Sequence, residues 1–157
     1  MTTVAYCDGI MACDSRLSVG HSHMTKCEKI FRLKSGALFG VCGDDDTRDL
    51  ERILHNVITA DDLPSREQLA ECKLEGEYLL VLPNKEIWHI DIEMRSWDNT
   101  DEWMAGLRQI KEKFIAIGSG SEYATGAMEF GASAEEAVRC ATKWDLYSAP
   151  PVKTLEL

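Results

Sequence analysis

The sequence predicts an α+β fold in which two antiparallel sheets face each other and each is covered on its outer side by a pair of helices. Three observations lead there. Strand-like and helix-like patterns follow one another as four strands, two helices, two or three strands, two helices and a last strand. Strands in runs and helices in pairs segregate the helices from antiparallel sheet. The strand runs Thr2–Cys7, Ile10–Asp14, Ala37–Cys42 and Tyr78–Leu82 are nearly all apolar rather than alternating, as strands covered on both faces are.

Taken in order, Thr2–Cys7 and Ile10–Asp14 flank Asp8-Gly9, the strongest short hairpin signal. Residues 15–27 read as a loop carrying His21-Ser22-His23. Glu28–Lys34 reads as a strand, turned by Ser35-Gly36 into the run that ends at Gly43. Asp44-Asp45-Asp46-Thr47 then supplies N-cap and first-turn residues for a helix. Leu50, Ile53, Leu54, Val57 and Ile58 give that helix a one-sided apolar stripe. Asp61-Asp62-Leu63-Pro64 breaks it, and Ser65 with Gln68 fits a capping box for a short second helix.

Tyr78–Leu82 turns over Pro83-Asn84-Lys85 into Ile87–Ile92, which alternates with Trp88, Ile90 and Ile92 on one face. Residues 93–108 hold Trp97 and Trp103 among polar residues, and their pattern fits no single element; prolonging the hairpin is one solution. Phe114–Ile117 is a short buried strand. Gly118-Ser119-Gly120 turns it into a helix from about Glu122 that Gly131 stops. Ser133 with Glu136 is a second capping box, opening a helix with Ala137, Val138, Ala141 and Trp144 on its apolar face. Asp145–Ser148 reads as the last strand, punctuated by Pro150-Pro151.

The 157 residues, 45% apolar and 28% charged, fit one globular domain over 1–157. A net charge of −10 without a basic run opposes nucleic acid and anionic membranes. No apolar segment approaches the ~18 residues of a membrane-spanning helix, and the start lacks the pattern of a signal peptide. A cytoplasmic location is therefore expected, with Cys7, Cys13, Cys27, Cys42, Cys72 and Cys140 as reduced, mostly buried thiols. His21 and His23, with Cys13 and Cys27 nearby, invite a metal reading. Their spacing is irregular and no Cys-x-x-Cys occurs, so a solvated loop is expected and no metal or cofactor. His55 and His89 are expected at the surface or rim. The acidic run 44–46 is explained by a helix start rather than a cation site.

The chemistry-bearing stretch is the beginning. Removing Met1 exposes Thr2, which then carries a hydroxyl and a free α-amine on one residue, a nucleophile with its own general base. Alone, Thr2 simply permits Met removal, Asp14 reads as a turn, Lys29 as a solvated strand residue and Ser119 as a helix cap. Their joint order is more specific. Thr2-Thr3, Asp14, Lys29, a strand ending at Gly43 before a helix, and Ala116-Ile117-Gly118-Ser119-Gly120 before another helix resemble the proteasome β-subunit family, most of all the bacterial HslV-type peptidases.

The resemblance covers nearly the whole chain. It implies an N-terminal-nucleophile (Ntn) hydrolase with a four-layer αββα sandwich, acting as a threonine endopeptidase. On it, Thr2 is the nucleophile, and Asp14 and Lys29 are its charge partners. Gly43 is the backbone oxyanion donor, Ser119 sits beside the α-amine, and Asp145 and Ser148 complete the network. Val41 and Cys27 would line the first specificity pocket, favouring a medium apolar side chain. The implied partners are copies of itself in stacked hexameric or heptameric rings, an AAA+ unfoldase ATPase, and unfolded polypeptide or peptide substrates. Trp88, Trp97 and Trp103, outside the clear helices, fit such subunit contacts.

The first hairpin and the second helix (Ser65–Lys73) are shorter than the family's, and residues 93–110 are expanded, differences that bear on ring size and ATPase docking more than on chemistry. Two alternatives stay open: an Ntn amidohydrolase acting on small amide or acyl compounds, and a catalytically silent ring-forming subunit.

Overall fold

The computed structural model describes residues 2–19, 22–24, 27–44 and 46–157. β1 (Thr3–Cys7) and β2 (Ile10–Cys13) close over Asp8-Gly9, which take φ 49° and 89°, the two left-handed positions of a type I′ turn. The region expected as a loop instead contains a short hairpin, β3 (Leu17–Val19) with β4 (Ser22–Met24); His21 lies outside the described residues. β5 (Ile30–Arg32) is shorter than the expected strand, and β6 (Leu38–Gly43) follows it.

α1 (Arg48–Leu54) ends before Val57 and Ile58, leaving Ile58 exposed. Of the acids ahead of it, Asp45 lies outside the described residues, and Asp44 and Asp46 are not its caps. Asp44 accepts the Glu75 N–H at 2.9 Å and Asp46 pairs with Arg48, while Thr47 occupies the N-cap without a side-chain cap bond. After a 3-10 turn at Ala60–Asp62 comes α2 (Arg66–Ala70), whose Ser65/Gln68 capping box forms as expected.

β7 (Gly76–Val81) leads to β8 (Ile87–Trp97) and β9 (Thr100–Ile110), a hairpin of two eleven-residue strands in register from Ile87↔Ile110 to Trp97↔Thr100. Residues 93–108, which matched no single pattern, are mostly its outer half: its turn, Asp98-Asn99, has φ 44° and 66°. β10 (Phe114–Gly118), α3 (Ser121–Glu129) and α4 (Ala134–Trp144) follow, with the Ser133/Glu136 box at the start of α4. Asp145–Ser148 is not a strand. It is the turn leaving α4, and the last strand is β11 (Lys153–Glu156).

One antiparallel sheet runs β10-β1-β2-β11 and the other β5-β6-β7-β8-β9. Val4, Tyr6 and Met11 of the first meet Leu38, Leu79 and Val81 of the second in one apolar cluster. Gly40 allows this approach, because a Cβ there would lie 2.7 Å from Val4 Cγ1. On the other face of the first sheet, Ala5 and Ala12 pack on Ala124, Met128, Ala137 and Ala141 of α3 and α4. On the other face of the second, Phe39, Tyr78 and Ile90 pack on Leu50, Leu54 and Leu69. Alternate residues of each strand thus enter different clusters, which is why the strands read as continuously apolar. Among the described residues no helix is long and apolar enough to cross a membrane.

Candidate active site

The β1–β2 register, Val4↔Cys13, places the next pair, Thr3 and Asp14, opposite each other just past the ladder. The Asp14 N–H donates to the Thr3 carbonyl at 3.1 Å, and Asp14 Oδ1 accepts the Thr3 N–H at 2.9 Å. Asp14 is fully buried. Its Oδ1 also accepts from Lys29 Nζ at 2.8 Å, and its Oδ2 accepts the N–H groups of Arg16 at 2.9 Å and Ala149 at 3.1 Å. An ionised carboxylate offers about four acceptor sites, and all four are used. Lys29, just ahead of β5 and also buried, donates in addition to the Arg16 carbonyl. Burying an ion pair is costly unless geometry and further hydrogen bonds offset desolvation; here four donors from four segments do so.

A second network reaches the same place from the turn after α4. Asp145 Oδ2 accepts from Ser119 Oγ at 2.8 Å and Ser148 Oγ at 2.5 Å. Ser148 Oγ is 2.7 Å from Thr3 Oγ1, and Ser119 Oγ is 3.4 Å from the Thr2 carbonyl oxygen. The structure therefore brings Asp14, Lys29, Ser119, Asp145 and Ser148 to Thr2-Thr3, with Thr2 itself buried.

Gly43 stands at the end of β6 opposite Gly76, where a Cβ would lie 2.3 Å from the Glu75 carbonyl oxygen. Its neighbour Cys42 packs close to Thr2: a Cβ on Gly118 would lie 2.9 Å from Cys42 Sγ and 2.0 Å from the Thr2 carbonyl oxygen. Val41 is buried with Leu50 and Leu54, and its N–H donates to the Lys29 carbonyl at 2.8 Å. Cys27 is half-buried, its N–H donating to the Ser15 carbonyl at 3.3 Å.

The thiols beside the ion pair are poor nucleophile candidates. Burial pushes Cys13 up to about 11, with Asp14 adding and Lys29 opposing, and burial pushes Cys42 well above the usual thiol value. A thiol is reactive as its thiolate, and burial keeps both of these thiols protonated at neutral pH. Sequence reasoning missed three contributors: Thr3, whose N–H joins the Asp14 network and whose hydroxyl joins that of Ser148; the Arg16 backbone; and Glu77, whose Oε2 accepts the Gly118 N–H at 3.1 Å. A second threonine beside the first was a visible signal; Glu77, a lone acid at a strand start, carried none. His89 corrects a further expectation, being buried rather than at the rim. Among the described residues no cluster of three or more His, Cys, Asp or Glu side chains is placed to hold a metal.

No protein-family model and no curated protein matches this sequence. Among solved structures, the chain is similar to Thiobacillus denitrificans BPH in complex with epoxomicin, with a TM-score of 0.64, 21% identity, and coverage of 99% of this chain and 97% of that one. Thiobacillus denitrificans BPH is also similar as a separate structure, with a TM-score of 0.62, 21% identity, and coverage of 99% and 96%. At this identity the likeness establishes a shared α+β fold along nearly the whole of both chains.

Proposed function

We propose that this chain is a threonine-type peptidase of a self-compartmentalising, proteasome-like complex, an Ntn hydrolase with the αββα arrangement, cleaving peptide bonds with Thr2 after loss of Met1. The observation that carries the reading is the buried Lys29–Asp14 pair bonded to the backbone of Thr3, at 2.8 Å and 2.9 Å, directly beside Thr2. If loss of Met1 frees the Thr2 α-amine, the buried Lys29 ammonium can act on it. An α-amine titrates near ~7.7–8.0 and is largely protonated at neutral pH. A neighbouring ammonium disfavours its charged form and makes it a better base. The amine takes the Thr2 hydroxyl proton, directly or through one water, and the oxygen attacks a peptide carbonyl carbon. The Gly43 N–H meets the developing oxyanion, a contact worth about 2.7–4 kcal/mol in other enzymes. The protonated amine returns its proton to the leaving amine, and water then hydrolyses the threonyl ester.

The shared fold supports this reading, since BPH binds epoxomicin, a proteasome inhibitor. Ring assembly and an AAA+ partner belong to the same proposal. Hydrolysis of short fluorogenic peptides tests it. Thr2→Ala should abolish turnover with the fold intact, and Thr2→Ser should retain part of it, because serine keeps both hydroxyl and amine. Intact mass of the active protein should lack one Met. Undiminished turnover in Thr2→Ala, or Met1 fully retained in active protein, overturns the proposal.

A further inference from the structure

The layer between the sheets ends in charge. Leu79 and Val81 of β7 and Ile87 of β8 fill its apolar part. Continuing the same alternation, Glu77 precedes Leu79, His89 pairs with Leu79, and Arg108 of β9 pairs with His89. These side chains face β10 across a cavity of ≈ 270 Å³, lined there by Ile115 and Ile117 and by Ser121 of α3.

His89 is 6% exposed. Arg108 Nη2 lies 3.2 Å from its Nδ1. A guanidinium only donates, so Nδ1 accepts and the neutral ring carries its proton on Nε2. That nitrogen faces Glu77 Oε1 at 3.8 Å. The other Glu77 oxygen holds the Gly118 N–H at 3.1 Å. Gly118, at φ 89°, is packed so closely on Thr2 that a Cβ would lie 2.0 Å from the Thr2 carbonyl oxygen. Asp91 Oδ1 lies 3.6 Å from Arg108 Nη2 and 3.8 Å from His89 Nδ1, across the bare Cα of Gly106.

The geometry points to His89 as a positioning residue for the Thr2 site, acting through Glu77 on the Gly118 turn; this rests on the reading of Thr2 as nucleophile. With His89 neutral, Arg108 keeps its acceptor and Glu77 serves the Gly118 N–H. A proton arriving on Nδ1 turns that acceptor into a donor facing a cation, and Arg108 is repelled. The resulting imidazolium attracts Glu77 and competes with the Gly118 N–H for it. The charged groups facing His89 are Glu77 from β7, Asp91 from β8 and Arg108 from β9, while the cavity residues from β10 and α3 are uncharged. Burial and then Arg108 hold His89 below its usual value against the pull of Glu77 and Asp91. The neutral, working arrangement therefore persists through neutral pH and is lost on acidification.

The test follows the His89 ring and the Gly118 amide by NMR from about pH 5 to 8, beside kcat/KM for a fluorogenic peptide. Both resonances should titrate with one midpoint below about 6.5, and an acid limb of kcat/KM should share it. Arg108→Met removes the cation that depresses His89 and touches a side chain 67% exposed; it should raise all three midpoints together. Glu77→Gln should leave His89 titrating while the Gly118 amide no longer follows. A Gly118 amide that ignores His89 in the wild type overturns the proposal, as does an acid limb that stays put when Arg108→Met moves the His89 midpoint. A coupled Gly118 amide in a protein whose Thr2→Ala variant keeps full turnover supports the coupling and overturns only the peptidase reading.

Discussion

Replacing Lys29 by alanine separates the chemistry of the site from its stability. Lys29 Nζ lies 2.8 Å from Asp14 Oδ1, with both side chains almost wholly buried. Removing one partner of a buried ion pair costs about 3–5 kcal/mol, because the other charge remains without its counterion. Asp14 would keep three backbone N–H donors, from Thr3, Arg16 and Ala149, at 2.9, 2.9 and 3.1 Å. Those contacts place the expected loss at the lower end, about 3 kcal/mol, or roughly a 150-fold shift toward the unfolded state. The effect on turnover should be larger than stability explains. Without the ammonium, and with Asp14 uncompensated nearby, the Thr2 amine is held protonated at neutral pH. Loss of a general base typically costs ~10²–10⁴-fold. Groups acting as a unit are non-additive, so the Thr2→Ala, Lys29→Ala double variant should be no less active than Thr2→Ala alone. Urea unfolding followed by tryptophan fluorescence gives the stability, and fluorogenic peptide hydrolysis between about pH 6 and 9 gives the activity across the amine's range. A Lys29→Ala protein that stays within about 1 kcal/mol of wild type and turns over peptide normally at pH 7 would refute this account of the ion pair.

Gly120→Ala should break the second network, because its Cβ would sit 2.1 Å from Thr3 Oγ1 and 3.2 Å from Asp145 Oδ2; overpacking of this kind should lower Tm by roughly 3–10 °C and reduce hydrolysis, and an unchanged melting curve would count against it. Alkylation with iodoacetamide at mildly alkaline pH should spare Cys13 and Cys42, whose thiols burial pushes up, until the protein is unfolded; mass mapping of the modified peptides checks this, and labelling of native Cys42 at the rate of a free thiol contradicts it. Native mass spectrometry should show closed rings rather than monomer at micromolar concentration. Exposed Trp97, Phe130, Trp144 and Leu146 supply apolar surface for such contacts, and a strictly monomeric spectrum removes ring assembly from the proposal.

Local patterns in the chain settled whatever depends on neighbours within a few residues. Asp8-Gly9 specified a left-handed two-residue turn, and the Ser65/Gln68 and Ser133/Glu136 pairs specified two helix starts, because these contacts close over two to four residues. The apolar strands announced a sheet covered on both faces. Thr2, Asp14, Lys29 and Ser119 stood out by their order along the chain. Tertiary structure decided what those residues touch. Ala149 donates to a carboxylate 135 residues away, and no periodicity encodes that distance. Asp145–Ser148 looked like a strand, yet α4 ends there and the turn delivers both side chains to Thr3 and Ser119. The outer half of the β8–β9 hairpin escaped pattern reading because it extends beyond the packed core, so solvent rather than a neighbouring layer faces many of its side chains. His89 read as a surface or rim residue and Glu77 gave no signal; only the stacking of β10 against the second sheet buries the histidine and brings the glutamate to the Gly118 N–H.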